Sequence, residues 1–284
     1  MGQFFRPPGN DRIWFYSERG LLAYLFHAVL EGDLSLVLDN AMDGTGRKLR
    51  EVVGPVGLHR VLTEFSLGNT GFGNPDGAIL TALGQPNTSF VFVEGKPVKF
   101  WKSFRKPEPS DSIQAKLAEA DGRRLVRRLV RDYNSKLNGQ LELRWRFVNA
   151  LRASAGQGEI NERHVTLRPE VLANDVFYWR HHFQPDPGKR EQWRRVSLAE
   201  DLAGLRQSLG AVREFYLLAI TTDSTFPQQE MSQVRLFDGT GQPLADAGNR
   251  LFWMSLDRVK ERLERCGSDG CWLRLVNSQW SKVP

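Results

Sequence analysis

Two carboxylates and one lysine border a pair of apolar segments between residues 74 and 96. Asp76 precedes the apolar residues 78–80, and Glu94 and Lys96 follow the apolar residues 90–93. Side chains alternate between the faces of a strand, so Glu94 and Lys96 point the same way. Carboxylate oxygens bind Mg²⁺, which activates water and stabilises charge on a phosphate, while a lysine can orient the attacking water. These residue types suit metal-assisted hydrolysis of a phosphate ester.

The two apolar segments are expected to form a β-hairpin. Residues 77–83 and 89–96 each have strand-like composition, and Gln85-Pro86-Asn87 between them is typical of a turn. Such a turn would place residue 77 near residue 95 and gather the three polar side chains at one edge of the sheet. The same residues would also suit an ordinary cross-strand salt bridge, worth about 0–1 kcal/mol.

The pattern resembles the motif of the PD-(D/E)XK nuclease superfamily, whose fold is that of many restriction endonucleases. Pro-Asp on one strand and Glu-x-Lys on the next are matched by Pro75, Asp76, Glu94 and Lys96. The resemblance implies an α/β fold with a restriction-endonuclease-like core, in which a mixed central sheet is flanked by helices. It also implies that Asp76 and Glu94 bind Mg²⁺ or Mn²⁺ and that Lys96 positions the water or neutralises the transition state.

Further catalytic positions follow from the same resemblance. The family often has a glutamate on an N-terminal helix, as Glu18 would be, or on the strand before the aspartate, as Glu64 would be. Its later helix sometimes carries Gln-Leu, which Gln140 matches and for which Gln114 is a rival. A further buried strand is expected, and residues 215–223 supply it.

Elements that could position these residues can be read along the chain. The run FYLLAIT is apolar nearly throughout, as expected for a central strand covered on both faces. The resemblance implies that this strand follows the helix closely, so the roughly sixty residues between them are interpreted as an insertion; if they form a separate domain instead, the assignment of this strand fails. We therefore expect a single nuclease-like domain over 1–284, with a helical or irregular insertion at 155–213 and a C-terminal extension at 235–284. Helices are predicted at 21–30, 113–133, 139–154 and 257–265, and strands at 58–67, 77–83, 89–96, 215–221 and 272–276.

Composition narrows the class of protein and of partner. The chain has 284 residues and a net charge of +6, which mildly favours a polyanionic partner. It lacks a run of about 18 apolar residues, so we expect no membrane span. Two cysteines, Cys266 and Cys271, do not form a disulfide framework, and a cytoplasmic protein with free thiols is expected.

Two basic segments could contact nucleic acid. The segment 122–133 is amphipathic, and one arc of its predicted helix could grip phosphates or, alternatively, be a solvated face paired with aspartates. The segment 177–195 mixes aromatic and basic residues, which suits base stacking but also a packed irregular loop. The basic arc of the first segment consists of Arg123, Arg124, Arg127, Arg128 and Arg131.

The sequence thus favours a metal-dependent nuclease that hydrolyses phosphodiester bonds in phage defence or restriction. DNA is favoured over RNA as its substrate. Cleavage of both strands would require two sites and hence a homodimer, and a defence system would supply partner proteins. One alternative is a catalytically inactive nuclease fold that binds nucleic acid or serves assembly. Another is an α/β protein of unrelated chemistry with a coincidental salt-bridged hairpin.

Overall fold

Five strands of the described chain form one mixed sheet, and their order in the sheet is their order in the sequence. The first three strands form an antiparallel meander, and the last two are parallel to the third. The strands are β1 (Arg60–Thr63), β2 (Gly77–Thr81), β3 (Ser89–Gly95), β4 (Glu214–Thr221) and β5 (Leu251–Ser255).

The structure is a computed structural model. It describes residues 34–53, 59–63, 65, 67, 74–82, 88–96, 98–104, 136–156, 204–205, 209–238, 242–258 and 261.

Side chains of the sheet form two separate apolar layers because successive residues of a strand face opposite sides. On one face of β3, Phe90 and Phe92 pack with Phe215 of β4. On the other face, Val91 and Val93 belong to a second cluster. All residues of β3 are buried, which agrees with the unbroken apolar run of its sequence.

The long helix α3 (Leu137–Gly156) covers the first of these faces. Its buried residues Leu137, Leu141, Trp145 and Val148 recur every three or four positions, so they form one apolar stripe of a helix. Helix α3 packs against β3 and β4, and it lies in the chain between these two parallel strands. It therefore belongs to the crossover connection that a parallel pair requires.

Short helices α1 (Ser35–Leu38) and α2 (Leu49–Val53) cover the opposite face. Between them, Met42 exchanges two backbone hydrogen bonds with Trp253 of β5, at 2.8 and 2.9 Å. The remaining short elements are a 3₁₀ helix at Phe100–Ser103, α4 at Gln228–Met231 and a second 3₁₀ helix at Ala247–Asn249.

The predicted α/β architecture, a mixed sheet flanked by helices, is confirmed at this level. The strands predicted at 77–83, 89–96 and 215–221 and the helix predicted at 139–154 are present, and their ends differ by at most two residues. Strand β5 was not predicted, although it lies in the 235–284 segment and joins the same sheet. The predicted helices 21–30 and 113–133, together with strand 272–276, lie outside the described residues.

Candidate active site

The hairpin of β2 and β3 brings Asp76 and Glu94 to the same end of the sheet. Gly77 pairs with Val93, so the expected pairing of residue 77 with residue 95 was wrong by two residues. The centre of the hairpin lies one residue earlier than expected. Moving this centre by one residue changes the partner of every paired strand residue by two. Asp76 accepts a hydrogen bond of 3.0 Å from the Gly95 backbone N–H through Oδ2, which fixes the carboxylate against the end of β3.

Glu94 is the most enclosed charged group of the site. Its side chain is fully buried on the face covered by α3, where Arg144 donates a hydrogen bond from Nε to Glu94 Oε1. Arg144 is also buried, and its second nitrogen, Nη2, donates to the Asn74 carbonyl oxygen at 2.8 Å. One guanidinium thus joins helix α3 both to Glu94 and to the segment that leads into Asp76.

The second carboxylate oxygen of Glu94 is buried but accepts no hydrogen bond from the residues that the structure describes. A buried acceptor without a partner costs about 1–3 kcal/mol, and more when it is charged. Such an atom is therefore one that a ligand or a cation could satisfy.

Burial raises the pKa of Glu94 to about 8. The Arg144 guanidinium acts in the opposite direction, Asp76 raises the pKa further, and Lys96 lowers it. Both Asp76 and Lys96 are therefore close enough to influence the charge on Glu94. Two carboxylates that repel each other beside a lysine form a site that favours additional positive charge.

Lys96 follows the end of β3 directly and is 6% exposed. Its backbone N–H donates to the Ile220 carbonyl oxygen at 2.8 Å, so β4 holds this residue at the end of the parallel pair. The backbone of Lys96 is therefore fixed beside β4, two residues after Glu94.

Gln140 lies on α3 one helical turn before Arg144, and residues four apart share a helix face. Its Oε1 atom is buried, and no described residue donates a hydrogen bond to it. The structure thus places Gln140 on the helix face from which Arg144 contacts Glu94, and its role towards Lys96 or a phosphate stays a prediction.

The donor set suits Mg²⁺ or Mn²⁺ in its chemistry, because both carboxylates supply hard oxygen atoms and one of these oxygens is unsatisfied. Within the described ranges, no group of three or more Asp, Glu, His or Cys side chains could enclose a metal ion. Mg²⁺ commonly binds through one or two carboxylates plus waters and substrate phosphate, so two carboxylates are a sufficient protein contribution.

The other predicted site residues lie outside the described residues. They are the alternative carboxylates Glu18 and Glu64, the rival Gln114, and the arginines Arg123, Arg124, Arg127, Arg128 and Arg131. Their roles stay predictions.

Sequence reasoning did not identify Arg144. A signal was present, because Arg144 and Gln140 are four residues apart in a helix whose neighbouring positions, Leu143 and Trp145, are apolar. A charged residue within such a run indicates a buried partner. Glu94 is the natural candidate because it ends an equally apolar strand.

Comparison of the chain with protein-family models, with curated proteins and with solved structures found no match. Among the described helices, none combines the length and apolar character needed to cross a membrane.

Proposed function

We propose that this chain is a metal-dependent nuclease of the PD-(D/E)XK type, with a restriction-endonuclease-like core, that hydrolyses phosphodiester bonds of DNA. The observation that carries the proposal is the unsatisfied Oε2 of buried Glu94, with Asp76 and Lys96 close beside it. An antiparallel meander followed by a helix and a parallel strand supports the proposed fold. We also propose that the protein acts in the cytoplasm, in phage defence or restriction.

Each residue has a defined role in this mechanism. Asp76 and Glu94 would hold Mg²⁺, which when bound supplies an activated water and stabilises charge on the phosphate. Lys96 orients the attacking water and stabilises negative charge that develops on the phosphoryl oxygens. Arg144 fixes Glu94 through Oε1 and leaves Oε2 for the metal. Gln140 orients Lys96 or a phosphate.

The test compares Asp76→Asn with the wild-type protein and with Asp43→Asn. Asp43 is an equally buried aspartate in the turn between α1 and α2, so its variant controls for the loss of a buried carboxylate elsewhere. Binding of Mn²⁺ is measured by calorimetry, and nicking of plasmid DNA is measured with Mg²⁺ or Mn²⁺. We expect Asp76→Asn to lose Mn²⁺ binding and to cleave at least about 100-fold more slowly, whereas Asp43→Asn retains both.

Cleavage by Asp76→Asn at the wild-type rate would overturn the assignment. DNA binding by wild type without cleavage under either metal would instead favour the inactive nucleic-acid-binding module.

A further inference from the structure

An exposed tryptophan lies just beyond the candidate active site. The 3₁₀ helix Phe100–Ser103 begins four residues after Lys96. Its Trp101 is 57% exposed, and within the part of the chain that the structure describes it is the only large hydrophobic side chain that is exposed. A single exposed aromatic side chain is common on protein surfaces, so the backbone and the charges around Trp101 must argue for a binding role.

The backbone that carries Trp101 is firmly held. Phe100 is fully buried, and its N–H donates to Asp223 Oδ2 at 2.7 Å. At the other end, Ser103 Oγ accepts a hydrogen bond of 3.3 Å from the N–H of Leu137, the first residue of α3. The indole is therefore presented by a segment fixed to α3 and to the residues that follow β4, and little conformational entropy would be lost when it binds a flat ligand.

Three lysines of the described chain lie near the indole or on the 3₁₀ helix that carries it. Lys99 and Lys102 are exposed, and Lys102 Nζ lies 5.7 Å from the centroid of the Trp101 ring. Lys136 reaches the same helix by donating from Nζ to the Lys102 carbonyl oxygen at 3.4 Å. The nearby Asp223 carboxylate accepts hydrogen bonds from the Phe100 N–H and the Thr221 hydroxyl through one oxygen, Oδ2, so the three lysines outnumber one aspartate here.

Trp101 is also within reach of a substrate bound at the site. Five residue steps separate it from Lys96, so the two Cα atoms are at most about 18 Å apart. A strand whose phosphate is bound beside Lys96 could place a base a few nucleotides away on the indole ring.

We propose that Trp101, together with Lys99 and Lys102, forms a stacking platform for an unpaired base of single-stranded nucleic acid next to the active site. Base stacking on an aromatic ring combined with lysine contacts to phosphates is the chemistry of single-strand binding. A base inside a duplex is already stacked on its neighbours and cannot lie on the indole without being flipped out. The inference rests on the proposed function for the class of ligand, but not on catalysis.

The test measures binding in the Asp76→Asn background without divalent metal, so that cleavage plays no part. Fluorescence anisotropy follows a labelled thymidine oligonucleotide and a labelled duplex of equal length. Trp101→Leu retains the apolar character but removes the stacking face, and Trp101→Phe retains an aromatic ring. Lys102→Ala is matched by Lys48→Ala, which removes the same charge from an exposed position between α1 and α2.

We expect Trp101→Leu to weaken binding of the single strand by about 5- to 100-fold, because one stacked base is lost. The single-strand affinity of Trp101→Phe should stay within a few-fold of that of the parent. Lys102→Ala should weaken single-strand binding more than Lys48→Ala does. Trp101→Leu should change duplex binding little. Unchanged single-strand binding by Trp101→Leu, or an equal loss for single strand and duplex, would overturn the platform. So would Trp101-dependent self-association in light scattering, which would assign the indole to contact with a second copy.

Failure of this inference can be told from failure of the proposed function. Asp76-dependent cleavage with normal single-strand binding by Trp101→Leu would leave the nuclease and remove the platform. Trp101-dependent binding with no cleavage under any metal would leave the platform and remove the nuclease.

Discussion

At the scale of single residues, the contact between Arg144 and Glu94 is the most consequential interaction of the site. Both side chains are almost fully buried, at 3% and 0% exposure. Burial of two charges costs several kcal/mol, and their mutual attraction offsets this cost only while both are present. Arg144 thus stabilises the fold and at the same time determines which oxygen of Glu94 is left without a partner.

We predict that Arg144→Met lowers the free energy of unfolding by about 3–5 kcal/mol, because Glu94 must then either stay ionised without its counter-charge or take up a proton at a cost in free energy. Urea unfolding at neutral pH measures the change. The double variant Arg144→Met/Glu94→Gln should recover part of the loss, since neither charge then remains buried. A double variant as unstable as the sum of its two single variants would show that the pair is not coupled.

The same pair shows what the sequence can and cannot predict about the site. Asp76, Glu94 and Lys96 could be placed together because a single turn connects their strands and period-two alternation fixes their faces. Arg144 lies 50 residues from Glu94, and only the packing of α3 on the sheet brings the two together. No local sequence pattern predicts a contact between residues so far apart in the chain.

At the scale of elements, the turn between α1 and α2 protects an edge of the sheet. Met42 pairs with Trp253 on the outer side of β5, which occupies backbone groups that would otherwise be free to pair with another chain. Asp43 shapes the turn, because its Oδ1 accepts hydrogen bonds from the backbone N–H groups of Thr45 and Arg47 at 2.9 and 3.0 Å. Its Oδ2 accepts a third from Arg47 Nε at 3.0 Å.

We predict that Asp43→Asn destabilises the protein by about 1–3 kcal/mol at neutral pH and that this difference shrinks in acid. Burial alone would raise the pKa of Asp43, but the hydrogen bonds from Thr45 and Arg47 and the charge of Arg47 lower it below 3.8. Stability from a lowered pKa is present above the unfolded-state value and is lost as the pH falls through the folded-state value. Urea unfolding of both proteins between neutral pH and about pH 3 measures the difference, and a constant difference would show that the charge is not responsible.

Strand β5 shows why one element of the sheet was not predicted. Its sequence, LFWMS, is a short apolar run, and such runs do not distinguish a strand from a buried helix turn. Pairing with β4 and with Met42 makes it a strand, and both partners are distant in the sequence. The twenty-residue α3 was predictable because it is long enough to show a helical period, and β3 because its β-branched and aromatic residues follow a turn sequence.

At the scale of the whole molecule, the net charge of +6 bears on how a polyanion would bind. If Lys99, Lys102 and Lys136 contact three phosphates, a plot of log K against log salt should have a slope of about −2, since each phosphate contributes about −0.7 for a single strand. We therefore predict that single-strand affinity falls by about 10- to 20-fold between roughly 50 and 200 mM salt. Anisotropy titrations at several salt concentrations measure this slope, and a slope near zero would exclude phosphate contacts.

The parallel pairing of β3 with β4 also affects when the environment of Glu94 can form during synthesis. Gly95 ends β3, and its partner strand is complete only at Thr221, so at about 5–20 residues per second a ribosome takes about 6–25 s to make the chain between them. Arg144 emerges partway through this interval. During synthesis Glu94 therefore stays without its counter-charge until α3 has been made and without its neighbouring parallel strand until β4 has been made.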